Sequence, residues 1–482
     1  MIVDQEEFQV TSKNENEIVP LFVNDRDLGS SIRSARGGRA TPDCDLNLLG
    51  VRTLAAVLRN FVLALSGVFL FCAGISAAEV RFVCDRADQV CHVGESATVT
   101  MTVLNNDGEP AEKGTLCVRI TNDGGEILDR QDFDLAESNP AAVNVSLSFP
   151  GHALVKATAS GEGIGKDVHR LFGLSFDPQR IEPGLPKPDD FDQFWAEGKA
   201  EVRQIPLDAE MTPIPELTTE TREVFQVGFA TLGGERVYGF LSKPVGEGPF
   251  PALVNVPGAG PGTGPDLTLT ERGFAVLVMN VFPYPVPLNE AERKEQHKEF
   301  NKSLGVRYCY FHSNDRGTYY FRSIYLGIDR AIDWFAAQPF TDHRIGFFGM
   351  SQGGGSALIL SALNRNIKAA VASEPAICDH AGGLKGRSPG WPRLVAQAKG
   401  DPEVLNASRY LDGVNFAGSI EIPIRVIVGF IDVTCSPSSV WSAYNAIPSA
   451  DKEMLLEQKL GHGYGEKYQQ ALDWLCETVG KM

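Results

Sequence analysis

"RIGFFGMSQGGGSAL", residues 344–358, decides the fold. Its first half is a short apolar run without alternation, the pattern of a strand covered on both faces, as parallel strands between helix layers must be. Gly349-Met350-Ser351-Gln352-Gly353 then fits G-x-S-x-G, and the small residues beyond Gln352 suit a helix. Strand, turn and helix in that order form a nucleophile elbow, in which glycines on either side of the serine permit a strained bend that presents the hydroxyl. The helix start would aim free N–H groups and its positive dipole end at the same point. The plainer reading is a small residue that a tight turn can accommodate, so the neighbouring segments have to decide.

Outward from the elbow, a hairpin is expected over 223–242. Apolar runs then alternate with helical segments: "PALVNVPG", "FAVLVMNV", a helix over 322–337, the elbow strand and helix, "IKAAVAS", "IPIRVIVGF", "EMLLEQKL" and a helix over 465–479. This alternation predicts an α/β unit with a doubly wound and mostly parallel sheet over 189–482. Residues 377–418 lack periodicity and read as an insertion or cap over the strand ends. The unit opens with "DDFDQFWAEGKAEV", where Asp190 is a plausible helix cap. A proline-rich linker, 177–188, precedes it. Before that, 79–176 alternates short β-rich runs with turn clusters and predicts an immunoglobulin-like antiparallel sandwich. A chain of 482 residues needs more than one such unit.

Two arginines, Arg52 and Arg59, lead an apolar run from Phe61 to Ile75, and Ser76, Ala77 and Ala78 offer a small-x-small cleavage site. Residues 51–78 therefore read as a signal peptide and the protein as secreted or periplasmic, with no stable membrane insertion after cleavage. The competing reading is a membrane anchor, since the apolar stretch extends to about 18 residues, the lower limit for spanning. Lipid attachment at Cys72 is disfavoured by bulky Phe71. Residues 1–50 are polar, aperiodic and an odd leader, which suggests a misassigned start.

A net charge of −17 argues against nucleic acid as a partner. Nine cysteines are present; processing would remove Cys44 and Cys72, leaving an odd number. Cys84 and Cys91 flank a short polar segment and are candidates for a bridge across a hairpin, with geometry undetermined from sequence. Neither C-x-x-C nor H-E-x-x-H occurs, so no metal site and no cofactor is expected.

A serine hydroxyl needs a base to take its proton and an acid to hold that base. In doubly wound hydrolases the chain order is Ser, then Asp or Glu, then His. Asp432 directly follows "IPIRVIVGFI", and His462 follows the next strand-like run. Both would lie at the carboxyl ends of neighbouring strands, where open α/β sheets place their sites. His462 alone among the histidines follows Asp432; His380, in the insertion, is a weaker base candidate. The Gln352 N–H would supply one oxyanion donor and Ala259, in the glycine-rich turn "NVPGAGPGTG", the other. Gly258, Phe282, Tyr284 and Trp391 are candidate pocket residues.

"DFDQFW", "TYYFRSIYLGIDRAIDWF", "GMSQGG", the Cys378-Asp379 pair and "GFIDVTCSPSSVWSAYN" together resemble the acetyl xylan esterase and cephalosporin C deacetylase family over roughly 187–482. The resemblance implies an α/β-hydrolase fold, metal-free removal of acetyl groups from sugars, and Ser351, Asp432 and His462 as a triad. The sequence departs from that family at three places. Pro257, Gly258 and Ala259 stand for its His-Gly-Tyr, Phe282, Pro283 and Tyr284 for its Arg-Gly-Gln, and Gly463 for the glutamate after its histidine. A divergent branch with a fused sandwich is the expectation, acting on an acylated carbohydrate or small ester. Self-association into a homo-oligomer is left open by these departures. Two other readings remain: a prolyl-oligopeptidase-like peptidase, for which the β-rich segment 79–176 is too short to form a propeller, and a non-catalytic glycan-binding protein with a degenerate hydrolase domain.

Overall fold

The computed structural model describes residues 77–481. The proposed leader and all but the last two residues of the proposed signal segment, residues 77 and 78, lie outside the described residues. Eight strands come first: β1 (Glu79–Cys84), β2 (Val90–Cys91), β3 (Ala97–Leu104), β4 (Thr115–Asn122), β5 (Ile127–Asp134), β6 (Ala141–Val145), β7 (Gly151–Gly161) and β8 (Gly165–Phe176). They form two sheets, β1-β3-β6 and β2-β8-β7-β4-β5. Alternate residues such as Val99, Met101, Val118, Ile120 and Val155 point into one shared apolar cluster, as half-buried strands require.

The pairing differs from expectation in one respect. The first edge of the chain crosses between sheets, so β1 pairs antiparallel with β3 while β2 runs parallel to β8. Cys84 and Cys91 therefore belong to different sheets rather than to one hairpin, and both are free thiols.

Nine strands follow in a third sheet: β9 (Glu210–Pro213), β10 (Arg222–Ala230), β11 (Arg236–Pro244), β12 (Phe250–Asn255), β13 (Ala275–Met279), β14 (Thr341–Met350), β15 (Ile367–Ser373), β16 (Ile424–Gly429) and β17 (Lys452–Glu457). Their order is β17-β16-β15-β14-β12-β13-β11-β10-β9. The six strands from β17 to β13 are parallel, and β11, β10 and β9 continue the sheet antiparallel. All five residues of β13 are buried, because helices cover both faces. On one side lie Tyr320–Ala336 and Gln352–Leu363, and on the other Leu267–Glu271 and Glu466–Lys481, whose Leu472, Leu475 and Val479 pack on β12, β14 and β15. The helix expected over 322–337 starts two residues earlier, where Tyr320 and Phe321 already face the core.

Asp190 does stand at the cap position of the helix Phe191–Arg203, yet its side chain makes no cap bond. Its carboxylate is taken by Arg316 and the Tyr410 hydroxyl. The expected insertion folds into a 3-10 turn at Gly382–Lys385 and three short helices, Leu394–Gln397, Pro402–Ser408 and Gly413–Ala417. Among the described residues, no helix is long and apolar enough to cross a membrane.

The sandwich is fastened to the segment after β16 by buried polar contacts. His152 Nε2 donates to the Phe430 carbonyl at 2.9 Å, and its Nδ1 is 2.9 Å from Ser175 Oγ. A carbonyl only accepts, so the proton sits on Nε2 and Nδ1 receives the serine hydroxyl. Gly173 lets β8 come this close, since a Cβ there would lie 2.3 Å from the same carbonyl. Asp123 is also buried, and it accepts the Ser438 N–H at 2.6 Å, close to the start of the helix Pro437–Ala446. Burial pushes this carboxyl up to about 7.

Burial also pushes His152 down from 6.5 to about 4. Between those values the unfolded imidazole holds a proton that the folded one refuses, so acidification favours unfolding by about 1.4 kcal/mol per pH unit. His152→Gln keeps a donor without the titration. Thermal melts from pH 7 to pH 4 should show the variant gaining on the parent as pH falls, by about 3 kcal/mol over the whole window; parallel curves would exclude this role.

Candidate active site

Ser351 occupies the turn between β14 and the helix Gln352–Leu363, with φ 59° and ψ −119°. The bend is held from both sides. Ser351 N–H donates to Ser373 O, and Ser351 O accepts from Gly355 and Ala376. Glycine is needed at both flanks for close approach: a Cβ on Gly353 would lie 2.0 Å from Val256 O, and one on Gly349 2.4 Å from the Gly353 backbone. The motif's two glycines are thus packing requirements of the bend itself.

Asp432 and His462 arrive from the loops after β16 and β17. His462 Nε2 lies 2.9 Å from Ser351 Oγ, and its Nδ1 lies 2.8 Å from Asp432 Oδ2. Asp432 Oδ1 accepts the N–H groups of Thr434 at 2.7 Å and Cys435 at 3.0 Å. The carboxylate is 1% exposed, which strengthens these charge-assisted bonds. An imidazole so placed can withdraw the hydroxyl proton while the acid steadies the cation that forms. Asp432, Cys435 and His462 also gather their ligand-type atoms within 4.8 Å. Burial raises the Cys435 thiol well above its ordinary range, and the Asp432 oxygens accept hydrogen bonds from His462, Thr434 and Cys435.

The remaining candidates separate. Gly258 runs directly beside the elbow, its Cβ direction pointing 3.8 Å from Ser351 Cβ and 3.5 Å from Met350 O; exposed Ala259 follows it. Gln352 is buried, and its side chain receives the Tyr308 hydroxyl at 2.5 Å while its amide reaches Pro257 O at 3.5 Å. Trp391 is half-buried and joins two site loops through its backbone, donating to Thr434 O and accepting from Ile377 N–H. Phe282 is not an open pocket wall. It is 1% exposed, enclosed by Tyr284, His297, Phe300 and Tyr308. Tyr284 is half-buried on top of it, with a buried hydroxyl that finds no partner among the described residues. His380 does not reach the serine. It is buried, neither ring nitrogen is bonded among the described residues, and burial pushes it down to about 3.

Two residues near the serine were not singled out by the sequence reading. Tyr308 braces the Gln352 side chain, and the aromatic density around 308–321 was its only sequence signal. Glu374, next after β15, is fully buried. Its Oε2 stands 3.3 Å from His462 Nδ1 and accepts the Gly463 N–H at 2.9 Å.

Comparison with known proteins adds to this geometry. A family model described as acetyl xylan esterase matches residues 172–478. The acetyl esterase Axe7A of Xylanibacter ruminicola is 31% identical over 300 residues, covering 61% of this chain and 67% of that protein. An acetyl xylan esterase from Paenibacillus sp. R4 superposes with a TM-score of 0.54 at 25% identity, over 62% of this chain and 98% of its own. Acetyl xylan esterase 1 from Thermoanaerobacterium sp. JW/SL YS485 gives the same TM-score at 23% identity, over 63% and 97%, a likeness of fold.

Proposed function

The chain belongs to the acetyl xylan esterase family, and from that premise we propose that it removes acetyl groups from carbohydrate esters through an acyl-enzyme formed on Ser351. The observation that carries this reading is the single imidazole bonded to Ser351 Oγ on one side and Asp432 on the other. His462 Nε2 takes the hydroxyl proton as Oγ attacks the ester carbonyl. The proton then passes to the departing sugar oxygen, which leaves as an alcohol. A water, deprotonated by the same nitrogen, attacks the acyl carbonyl and frees acetate and Ser351.

The negative oxygen of each tetrahedral intermediate would be met by the Gln352 N–H at the helix start and by Ala259 in the adjoining loop. The closeness of Gly258 to the serine supports the second assignment. The same reading places the protein in the periplasm or outside the cell, with residues 51–78 removed; the mature chain would then begin at Glu79, the first residue of β1.

The test is acetate release from acetylated xylan, measured beside hydrolysis of a proline-linked anilide and direct binding of deacetylated xylan. Acetate release with no anilide cleavage is the expected result. Anilide cleavage, or glycan binding without any ester hydrolysis, would replace this reading with the peptidase or the scaffold.

A further inference from the structure

Glu374 gives the His462 ring a second carboxyl neighbour. Asp432 reaches Nδ1 at 2.8 Å and Glu374 reaches it at 3.3 Å, so one N–H meets two acids. Glu374 is also tied to the loop that carries the ring, through Gly463 N–H. Its backbone is unusual for a side-chain-bearing residue, with φ 41°. Space for the side chain comes from Gly429 at the end of β16, where a Cβ would lie 2.9 Å from Glu374 Oε1 and 2.7 Å from Leu460 O. Oε1 itself is buried and has no hydrogen-bond partner among the described residues.

We propose that Glu374 is a positioning residue for His462, an uncharged carboxyl that fixes the histidine loop and ring edge and leaves Asp432 as the only negative charge facing the imidazole. The inference rests on the triad proposed above and deepens it.

Charge bookkeeping supports it. A carboxylate with one oxygen buried and unbonded is costly, and two carboxylates at one site resist joint ionisation. Burial, and after it the charge of Asp432, push Glu374 up from 4.5 to about 9, although the Gly463 N–H pulls the other way. The titratable groups around it are Asp432 and Cys435 from the loop after β16, Glu457 from the end of β17, and His462 and Tyr464 from the loop beyond. The imidazolium formed during acyl transfer carries one positive charge, which one carboxylate matches. A second would hold a proton on the resting ring and remove the base. When Glu374 does lose its proton to solvent at alkaline pH, the added negative charge also opposes the developing oxyanion.

The experiment compares Glu374→Gln, Glu374→Ala and Asp432→Asn with the parent, following kcat and KM for 4-nitrophenyl acetate from pH 5 to pH 10 after subtracting spontaneous hydrolysis. At pH 7, Glu374→Gln should lose about three- to tenfold and Glu374→Ala about 100-fold, in kcat rather than KM, as expected for a misplaced ring. The parent should lose activity above about pH 9, and Glu374→Gln should not. Melting gives an independent reading. Unfolded glutamate releases its proton near 4.5 and the folded residue near 9, so each rise in pH between them favours unfolding of the parent alone. The Tm of Glu374→Gln should therefore gain on the parent from pH 5 to pH 8.

A Glu374→Gln loss as deep as that of Asp432→Asn would overturn the proposal by making Glu374 the working carboxylate. An unaltered rate and pH profile in Glu374→Ala would overturn it by reducing the residue to packing. Ser351→Ala, assayed alongside, tells the two readings apart: activity surviving there would remove the triad and this proposal with it.

Discussion

Ser351→Ala is expected to hydrolyse 4-nitrophenyl acetate roughly 10⁴- to 10⁶-fold more slowly than the parent, while melting at nearly the same temperature. The loss is large because the substitution deletes the one oxygen that His462 Nε2 faces. Among the described residues, no other hydroxyl is bonded to that nitrogen. Activity that remains would come from groups that polarise the carbonyl and admit water. Stability should change by less than about 1 kcal/mol, because the bonds that hold the bend are main-chain ones. Ser351 N–H to Ser373 O, and Gly355 and Ala376 N–H to Ser351 O, all survive in alanine. Measuring kcat/KM with the melting curve separates lost chemistry from lost fold, and a fluorophosphonate reagent should label the parent but not the variant. Turnover within tenfold of the parent would show that the acyl group never resides on this oxygen.

Asp432→Asn should cost roughly 10³- to 10⁴-fold in kcat and leave KM little changed. The asparagine oxygen can still accept from Thr434 and Cys435, as Asp432 Oδ1 does, so the loop keeps its shape. The amide nitrogen would then face His462 Nδ1, where Asp432 Oδ2 now accepts at 2.8 Å. Two donors cannot share that contact. The ring answers by placing its proton on Nε2, and in that tautomer it cannot receive one from Ser351. The lost carboxylate also removes the negative charge that balances the imidazolium. A loss of only a few-fold, with Glu374→Gln unaffected as well, would show that neither acid orients the ring.

Much of this arrangement could be read before any coordinates. Continuous apolar runs announced β12 to β16, since strands covered on both faces have little room for polar alternation. The order serine, aspartate, histidine, each just beyond a strand, announced the convergence at one end of the sheet. What escaped was set by contacts distant in sequence. Glu374 looks like an ordinary acid after a strand until Asp432, Gly429 and Gly463 close around it. Phe282 was expected to be a wall, because nothing local says that Tyr308 and Phe300 will enclose it.

The helix Glu290–Leu304 was missed for another reason. None of its residues is fully buried and only Phe300 and Leu304 pack their apolar side chains against the core, so its apolar stripe is thin, and its ends gave the clearer signal: Asn289 caps its start and Gly305, at φ 70°, ends it. The sequence left a bridge between Cys84 and Cys91 open, because closeness along the chain does not reveal a change of sheet. His152 and Asp123 read as unremarkable polar residues of a sandwich, since their partners lie 278 and 315 positions away.

Those two residues bear on where this chain can be divided. The proline-rich stretch before residue 189 invites a cut, as if it joined beads on a string. Freed of the sandwich, the remainder would present the Phe430 carbonyl and the Ser438 amide to water, on either side of Asp432. A foreign module grafted in that place would have to supply an imidazole donor and a carboxylate acceptor at the same two points, or leave the hydrolase with a looser grip on its own acid.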